Sequence, residues 1–173
     1  LWTSSPACTE LETRMLEWLR VAMGLPECFA EGGTGGGVIQ DTASSAVLVC
    51  MVAARDRVTD GAATRAGGIS CGGLVAYASE QAHSSILKAV GICGIGRENL
   101  RLVPTDEAFR MDAGALAKMM EQDVAAGLRP CFCVATVGTT GCGAVDPVAD
   151  IADVCRSDDV WLHVDAAWAG TAA

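Results

Sequence analysis

Basic residues are scarce in this sequence. Twelve Lys and Arg stand against twenty-one Asp and Glu, which leaves a net charge of −9. No basic stripe or aromatic-interleaved run offsets the repulsion from phosphate, so nucleic acid is excluded as a main partner. Long apolar runs are missing as well. The longest, Ala46 to Ala54, has nine residues, about half of the roughly 20 that a spanning helix needs, and no membrane association is expected. Neither a G-K-[ST] phosphate loop nor a G-x-G-x-x-G turn set directly between strand and helix is present, which removes the P-loop and dinucleotide readings. Zinc is disfavoured too. Cys131, Cys133 and Cys142 are close to one another in sequence and His163 follows, but no C-x-x-C spacing exists and only two histidines are available.

What the chain has in quantity is apolar mass and cysteine. At 173 residues and 51% apolar content, one globular domain with a substantial core is expected. The nine cysteines are odd in number and scattered, which speaks for reduced thiols in a cytoplasmic protein and against a disulfide framework. Most lie in apolar segments, where a thiol behaves as a small hydrophobe. The chain opens at Leu1 without an initiator Met or a secretory leader and stops at Ala173 just past a strand-like run. It is expected to be a piece of a longer protein.

Periodicity divides the chain into alternating elements. Leu11, Met15, Trp18 and Leu19 share one face of a helix predicted over about 9–23, stopped by Gly24 and Pro26. A glycine-dense loop follows, then a strand-like triplet, Val38-Ile39-Gln40, and the hydroxyls of Thr42, Ser44 and Ser45 at the start of a helix through Ala46 to Ala54. That helix is apolar all round and is expected to be buried. Residues 55–73 read as a surface connection. Strands are expected over 74–78, 100–103, 131–137 and 160–164, with helices over 84–93, 112–126 and 146–156 between them. Asp112 and Gly127 supply the caps of the 112–126 helix, whose inward stripe reads Leu116, Met119, Met120 and Val124.

Near-continuous apolar strands separated by helices specify an α/β fold: a mainly parallel sheet with helices on both faces. Ligands of such sheets gather at the carboxyl ends of the strands. Four ends carry chemistry: Thr42 to Ser45, Glu80 to His83, Thr139 with Thr140, and Asp165. Thr and Ser at a helix start present free N–H groups, hydroxyls and the positive dipole end to a phosphate, although the same residues also serve as plain caps. Asp165, followed by the small Ala166 and Ala167, is a carboxylate that needs a partner, either a protein cation or a ligand nitrogen. Pyridoxal 5'-phosphate matches the set. It offers a phosphate for the Thr42 to Ser44 helix start, a ring nitrogen for Asp165, a phenolate for Thr140 and a ring face for His83. An anion beside the ring nitrogen favours its protonated form and lets the ring accept electrons from a bond broken at a substrate's Cα. Taken singly, His83 also reads as a satisfied histidine at a helix start, Thr139 and Thr140 as turn residues, and His163 as a core residue or one behind the site.

Five ordered blocks resemble the pyridoxal phosphate-dependent aromatic L-amino acid decarboxylases: Ser5-Pro6-Ala7-Cys8-Thr9-Glu10-Leu11-Glu12, Gly35-Gly36-Gly37-Val38-Ile39-Gln40, Ala78-Ser79-Glu80-Gln81-Ala82-His83-Ser84-Ser85, Val134-Ala135-Thr136-Val137-Gly138-Thr139-Thr140, and Trp161-Leu162-His163-Val164-Asp165-Ala166-Ala167. The resemblance implies that residues 1–173 are part of the pyridoxal phosphate-binding large domain of a fold-type I enzyme. It implies that Ala43 and Ser44 hold the phosphate beside Thr42, that His83 stacks on the ring, that Thr140 meets its hydroxyl side, that Asp165 pairs with the ring nitrogen and that Ala167 packs beneath. The implied reaction is decarboxylation of an aromatic L-amino acid to its amine and CO2 by a homodimer. Aldehyde synthesis on the same scaffold, or a non-catalytic chain acting as a dimerisation partner, are the alternatives.

The sequence departs from the family pattern at Asp41, where glycine is usual, at Ser45, where many members have glutamate, and at Trp168, where tyrosine is usual. The family's Schiff-base lysine follows the aspartate by a few dozen residues, whereas the only lysines here are Lys88 and Lys118, both on predicted helices directed away from the site. The chain as written is therefore expected not to turn over substrate.

Overall fold

Pro6 suits the first turn of a helix, where its missing N–H costs nothing, and in the computed structural model α1 (Pro6–Ala22) begins there. The structure describes residues 2–67 and 72–172, and these fall into two compact units, Leu1–Asp41 and Thr42–Ala173. In the first unit, Arg20 binds Glu17 at 2.7 Å along α1 and holds that carboxyl below its usual range. None of the α1 residues is buried, and Leu11, Trp18 and Val21 stand more than half exposed. The strand expected at Val38-Ile39-Gln40 does not form. The Ile39 N–H donates to Glu12 Oε1 at 2.8 Å, so this stretch is held by a side chain and not by a sheet ladder.

The second unit is a four-stranded sheet, β1 (Leu74–Ser79), β2 (Leu100–Val103), β3 (Arg129–Thr136) and β4 (Trp161–Asp165), in the order β2-β1-β3-β4. Every pairing is parallel. Between the strands run α2 (Ala43–Val58), the short α3 (Ala62–Ala66), α4 (Ser85–Ile92), α5 (Ala113–Ala125) and α6 (Val148–Ser157). The two-residue period of the strands sorts their side chains between two cores. Ala76, Ala78, Phe132 and Val134 join Val47 and Met51 of α2 and Ile86 and Val90 of α4. Val75, Tyr77, Cys133 and Ala135 join Leu116 and Met120 of α5 and Ile151 of α6. Both faces are thus covered, as the continuous apolar strands required.

Helix α5 shows where pattern reading falls short. Asp112 caps it by accepting the Ala115 N–H at 2.9 Å, and Leu116 and Met120 point inward as expected. Val124, however, is 49% exposed while Asp123 is buried. Asp123 sits seven residues after Leu116 and so lies on the buried stripe. Its charge is tolerated because the Tyr77 hydroxyl donates to Oδ2 at 2.8 Å and Arg101 Nη2 donates to Oδ1 at 2.9 Å. Burial, reinforced by that carboxylate, pushes the Tyr77 phenol well up. Four of the cysteines, Cys93, Cys131, Cys133 and Cys155, are buried, where a thiol packs as a small hydrophobe, and burial pushes the Cys131 thiol up to about 12, away from the nucleophilic thiolate. Cys71 lies outside the described residues.

Removing Asp123 strands two donors, whereas removing the Tyr77 hydroxyl leaves Arg101 paired. Asp123→Ala is expected to lower stability by about 3 kcal/mol and Tyr77→Phe by about 1 kcal/mol, read from urea denaturation midpoints. Equal losses in the two variants would show that the Arg101 pair contributes nothing.

Candidate functional site

Because all four strands are parallel, their carboxyl ends share one edge of the sheet. The end of β1 runs into a turn closed by Ser79, whose Oγ accepts the Gln81 N–H at 2.9 Å, and this turn delivers His83. Its Nδ1 accepts the Ser85 N–H at 3.2 Å and lies 2.9 Å from Ser85 Oγ. That bond places the imidazole proton on Nε2 in the neutral ring. The exposed imidazole is therefore oriented at the start of α4.

At the end of β3, Thr136 is fixed on both backbone sides by one residue. Its N–H donates to Asp146 Oδ2 at 2.7 Å, and its carbonyl accepts the Asp146 N–H at 2.9 Å. The other oxygen of Asp146 accepts the Met111 N–H at 2.8 Å. Asp146 is 2% exposed, and it closes the loop 138–144 that crosses the site. Within that loop the two threonines separate by role. Thr139 is buried and structural, its Oγ1 accepting the Ala144 N–H at 3.0 Å. Thr140 is exposed and faces the cleft. Gly138 must be glycine here. Its φ is +88°, and a Cβ would stand 2.8 Å from Trp168 Cε2 and from Ala169 Cβ. The Trp168 indole N–H donates to the Gly138 carbonyl at 2.7 Å.

At the end of β4, Asp165 is half-buried. Its Oδ1 accepts the Ala167 N–H at 3.3 Å, and no cation of the described residues pairs with it. Two residues earlier on the same strand face, His163 stacks on Phe132 with ring centroids 5.6 Å apart. Burial lowers its pKa, partly opposed by the Asp165 charge.

The last wall is the start of α2. Thr42 is its N-cap and forms a reciprocal box with Ser45: Thr42 Oγ1 accepts the Ser45 N–H and Ser45 Oγ accepts the Thr42 N–H, both at 3.2 Å. The amides of Ala43 and Ser44 take no hydrogen bond within the described residues and lie at the positive end of the helix dipole.

These pieces enclose one cleft of about 170 Å³. Of the residues expected at the site, Ala43, Ser44, His83, Thr140, Asp165 and Ala167 line it together, while Thr42 is engaged in capping and does not. Thr136, Gly138 and Trp168 also line it. Thr136 gave no sequence signal, since a threonine at the end of an apolar strand reads as an ordinary β residue. Its Oγ1 is buried without a hydrogen-bond partner among the described residues. A larger hollow of about 690 Å³ beside Lys88 and Arg97 gathers none of the strand-end residues. Lys88 on α4 and Lys118 on α5 are both absent from the cleft wall.

The donor set fits a flat, phosphate-bearing cation: free helix-start amides for an anion, a carboxylate without a cation, a buried hydroxyl without a partner and small residues below. Comparison with known proteins agrees. The chain matches the family described as "Pyridoxal-dependent decarboxylase conserved domain" over residues 1–173. It is 49% identical to the aromatic-L-amino-acid decarboxylase of Sus scrofa over 177 residues, covering 99% of this chain and 36% of that protein. The crystal structure of Catharanthus roseus tryptophan decarboxylase with L-tryptophan superposes with a TM-score of 0.89 at 44% identity, over 98% of this chain and 36% of that one. That of Oryza sativa TDC with PLP and tryptamine gives 0.87 at 44% identity, over 98% and 35%. The chain therefore spans little more than a third of the length of the curated relatives it matches.

Two predictions belong to this geometry. Asp146→Ala leaves two buried amides unpaired and is expected to cost about 2–4 kcal/mol in denaturation experiments, with faster hydrogen exchange at Met111 and Thr136. An exchange pattern unchanged at both amides would contradict the tie. With only two histidines in the chain, His163 can be followed by NMR and should titrate below about 6.5. Its lowered folded-state pKa contributes stability that is complete above the unfolded value and is lost as pH falls through the folded one. Asp165→Asn removes the opposing charge and should move the His163 midpoint lower still; an upward movement would refute the coupling.

Proposed function

Since the chain belongs to the pyridoxal-dependent decarboxylase family, we propose that its cleft holds pyridoxal 5'-phosphate and that the whole protein decarboxylates an aromatic L-amino acid to the corresponding amine and CO2. The observation that carries this reading is the convergence of a helix-start anion site and the uncompensated Asp165 carboxylate in one cleft with His83 and Thr140. The relatives named for aromatic amino acid decarboxylation support the substrate class.

When bound, the cofactor supplies an electron sink for the bond that breaks at the substrate's Cα. The residues of this chain bind, orient and tune it. The free amides of Ala43 and Ser44, with the Ser44 hydroxyl, hold the phosphate at the α2 dipole. Thr42 serves that site indirectly: by occupying the Ser45 amide it holds the helix start in shape. Asp165 faces the ring nitrogen and keeps its proton in place. His83 covers one ring face and Ala167 leaves room at the other, while Thr140 meets the ring's hydroxyl side. Catalytic roles are assigned to His83 and Asp165.

The reading also takes the protein as a cytoplasmic homodimer. The described cysteines are all free thiols, which suits a reducing compartment. The exposed apolar residues of α1 are of the kind that further protein surface covers. No helix among the described residues is long and apolar enough to cross a membrane.

The test uses the whole natural gene product that carries this sequence. With tryptophan, tyrosine, dihydroxyphenylalanine and histidine offered in turn, amine and CO2 are expected from at least one. Asp165→Asn should lower that turnover by about 100-fold or more, about 2.7 kcal/mol of transition-state stabilisation, while the fold is retained. Near-normal turnover in the variant would refute the Asp165 assignment. Aldehyde in place of amine, or no product from wild type, would refute the decarboxylase reading.

A further inference from the structure

The hydroxyl of Thr136 is the only buried side-chain oxygen or nitrogen among the described residues that lacks a hydrogen-bond partner. The residue is 4% exposed and lines the cleft. An unmet buried hydroxyl is destabilising, and no neighbouring side chain relieves it. The Thr136 N–H and carbonyl are both locked onto Asp146, at 2.7 and 2.9 Å. The hydroxyl at the end of β1, that of Ser79, accepts the Gln81 N–H.

The sheet register shows what this hydroxyl stands beside. Thr136 of β3 pairs with Asp165 of β4. Register partners on adjacent parallel strands lie about 4.8 Å apart and project to the same face. The faces agree independently: Phe132 and Val134 precede Thr136 in the α2 and α4 core, and His163, two residues before Asp165, stacks on Phe132. The strands are clamped at this level, since the Val137 N–H donates to the Asp165 carbonyl at 2.8 Å. A buried donor without an acceptor and a carboxylate held by one 3.3 Å contact are therefore neighbours on the wall of one cleft.

We propose that Thr136 is a positioning residue for Asp165: with the cofactor seated, the Thr136 hydroxyl donates to the Asp165 carboxylate and fixes it against the ring nitrogen. In the empty protein the carboxylate is half-buried and solvated, and the hydroxyl stays unpaired. Drawing the carboxylate onto a cationic ring excludes water from it and makes the adjacent donor its replacement. The free energy of the unmet hydroxyl is thereby recovered on binding. The inference rests on the cofactor reading given above and deepens it.

The two states predict opposite signs for one substitution. Thr136→Val keeps the shape and deletes the hydroxyl. In the whole natural gene product freed of cofactor, its melting temperature is expected to equal or exceed that of wild type, because replacing an unmet polar group by a methyl is neutral or stabilising. The affinity for added pyridoxal phosphate, followed by fluorescence quenching, should fall about 10-fold, and the thermal shift on loading should shrink. Thr136→Ser should restore most of both. A cofactor-free Thr136→Val protein that melts well below wild type would show that the hydroxyl is already satisfied and would overturn the inference. So would unchanged cofactor affinity in Thr136→Val, or failure of Thr136→Ser to recover it. Wild-type protein that does not bind pyridoxal phosphate at all would overturn the cofactor reading, and this inference with it, whereas normal wild-type binding with an indifferent Thr136→Val overturns this inference alone.

Discussion

The carboxylate of Asp146 is the constraint on which the site depends. It accepts the amides of Met111 and Thr136 at 2.8 and 2.7 Å while its own amide reaches back to the Thr136 carbonyl. Three segments distant in sequence are thus held by one acid: the end of β3, the entry to α5 and the approach to α6. Hydrogen bonds to an ionised acceptor are stronger than neutral ones, and a nearly dry setting increases their directional hold. With both ends of loop 138–144 pinned, Thr139 folds the loop onto itself and Thr140 is left facing the cleft. Trp168 closes the loop from the other side through the Gly138 carbonyl. The bulk of that indole and the positive φ of Gly138 are mutually dependent, since a side chain at 138 would collide with the ring.

Two kinds of buried charge coexist in the sheet unit. Asp123 is paired in full by Tyr77 and Arg101 and lies in the core beneath α5, away from the strand ends. Asp165 is met by a single weak amide contact at the strand ends. The same residue type is therefore satisfied where it stabilises the fold and left available where the cleft opens. Polar side chains inside a protein are costly unless paired, and this contrast separates a structural acid from one that opens onto the cleft.

Much of the architecture was legible in the residues. The apolar strands, the Asp112 cap, the Gly127 stop and the α/β alternation led to the right layers, because burial on both faces leaves a continuous apolar signature. Three features were not. Val38 and Ile39 have β-branched character, but whether such residues join a sheet depends on a partner strand, and Glu12 took the Ile39 amide instead. Val124 and Asp123 exchange places because helical phase at the end of α5 outweighs hydropathy once Tyr77 and Arg101 supply partners. At the cleft, hydroxyls at a helix start announce either a cap or an anion site, and only coordinates separate the two. Thr42 proves to be the cap, while Ala43 and Ser44 line the cleft. Thr136 was illegible, since its meaning lies in a register pairing across two strands.

The polar groups left unmet around the cleft also bear on energetics. Two helix-start amides, a buried hydroxyl and a carboxylate without a cation face the same space. Of these only the Thr136 hydroxyl is shut away from water without a partner and lowers the stability of the cofactor-free fold, while the two cores beneath, filled by Phe132, Met51, Leu116 and Ile151, carry the folding free energy. A ligand that binds only the folded chain shifts the folding equilibrium by mass action. Complementarity of this kind selects for shape as well as charge. Free phosphate would satisfy only the α2 amides, and a lone cation only Asp165. A rigid heterocycle carrying both charges at opposite ends would engage both walls of the cleft at once.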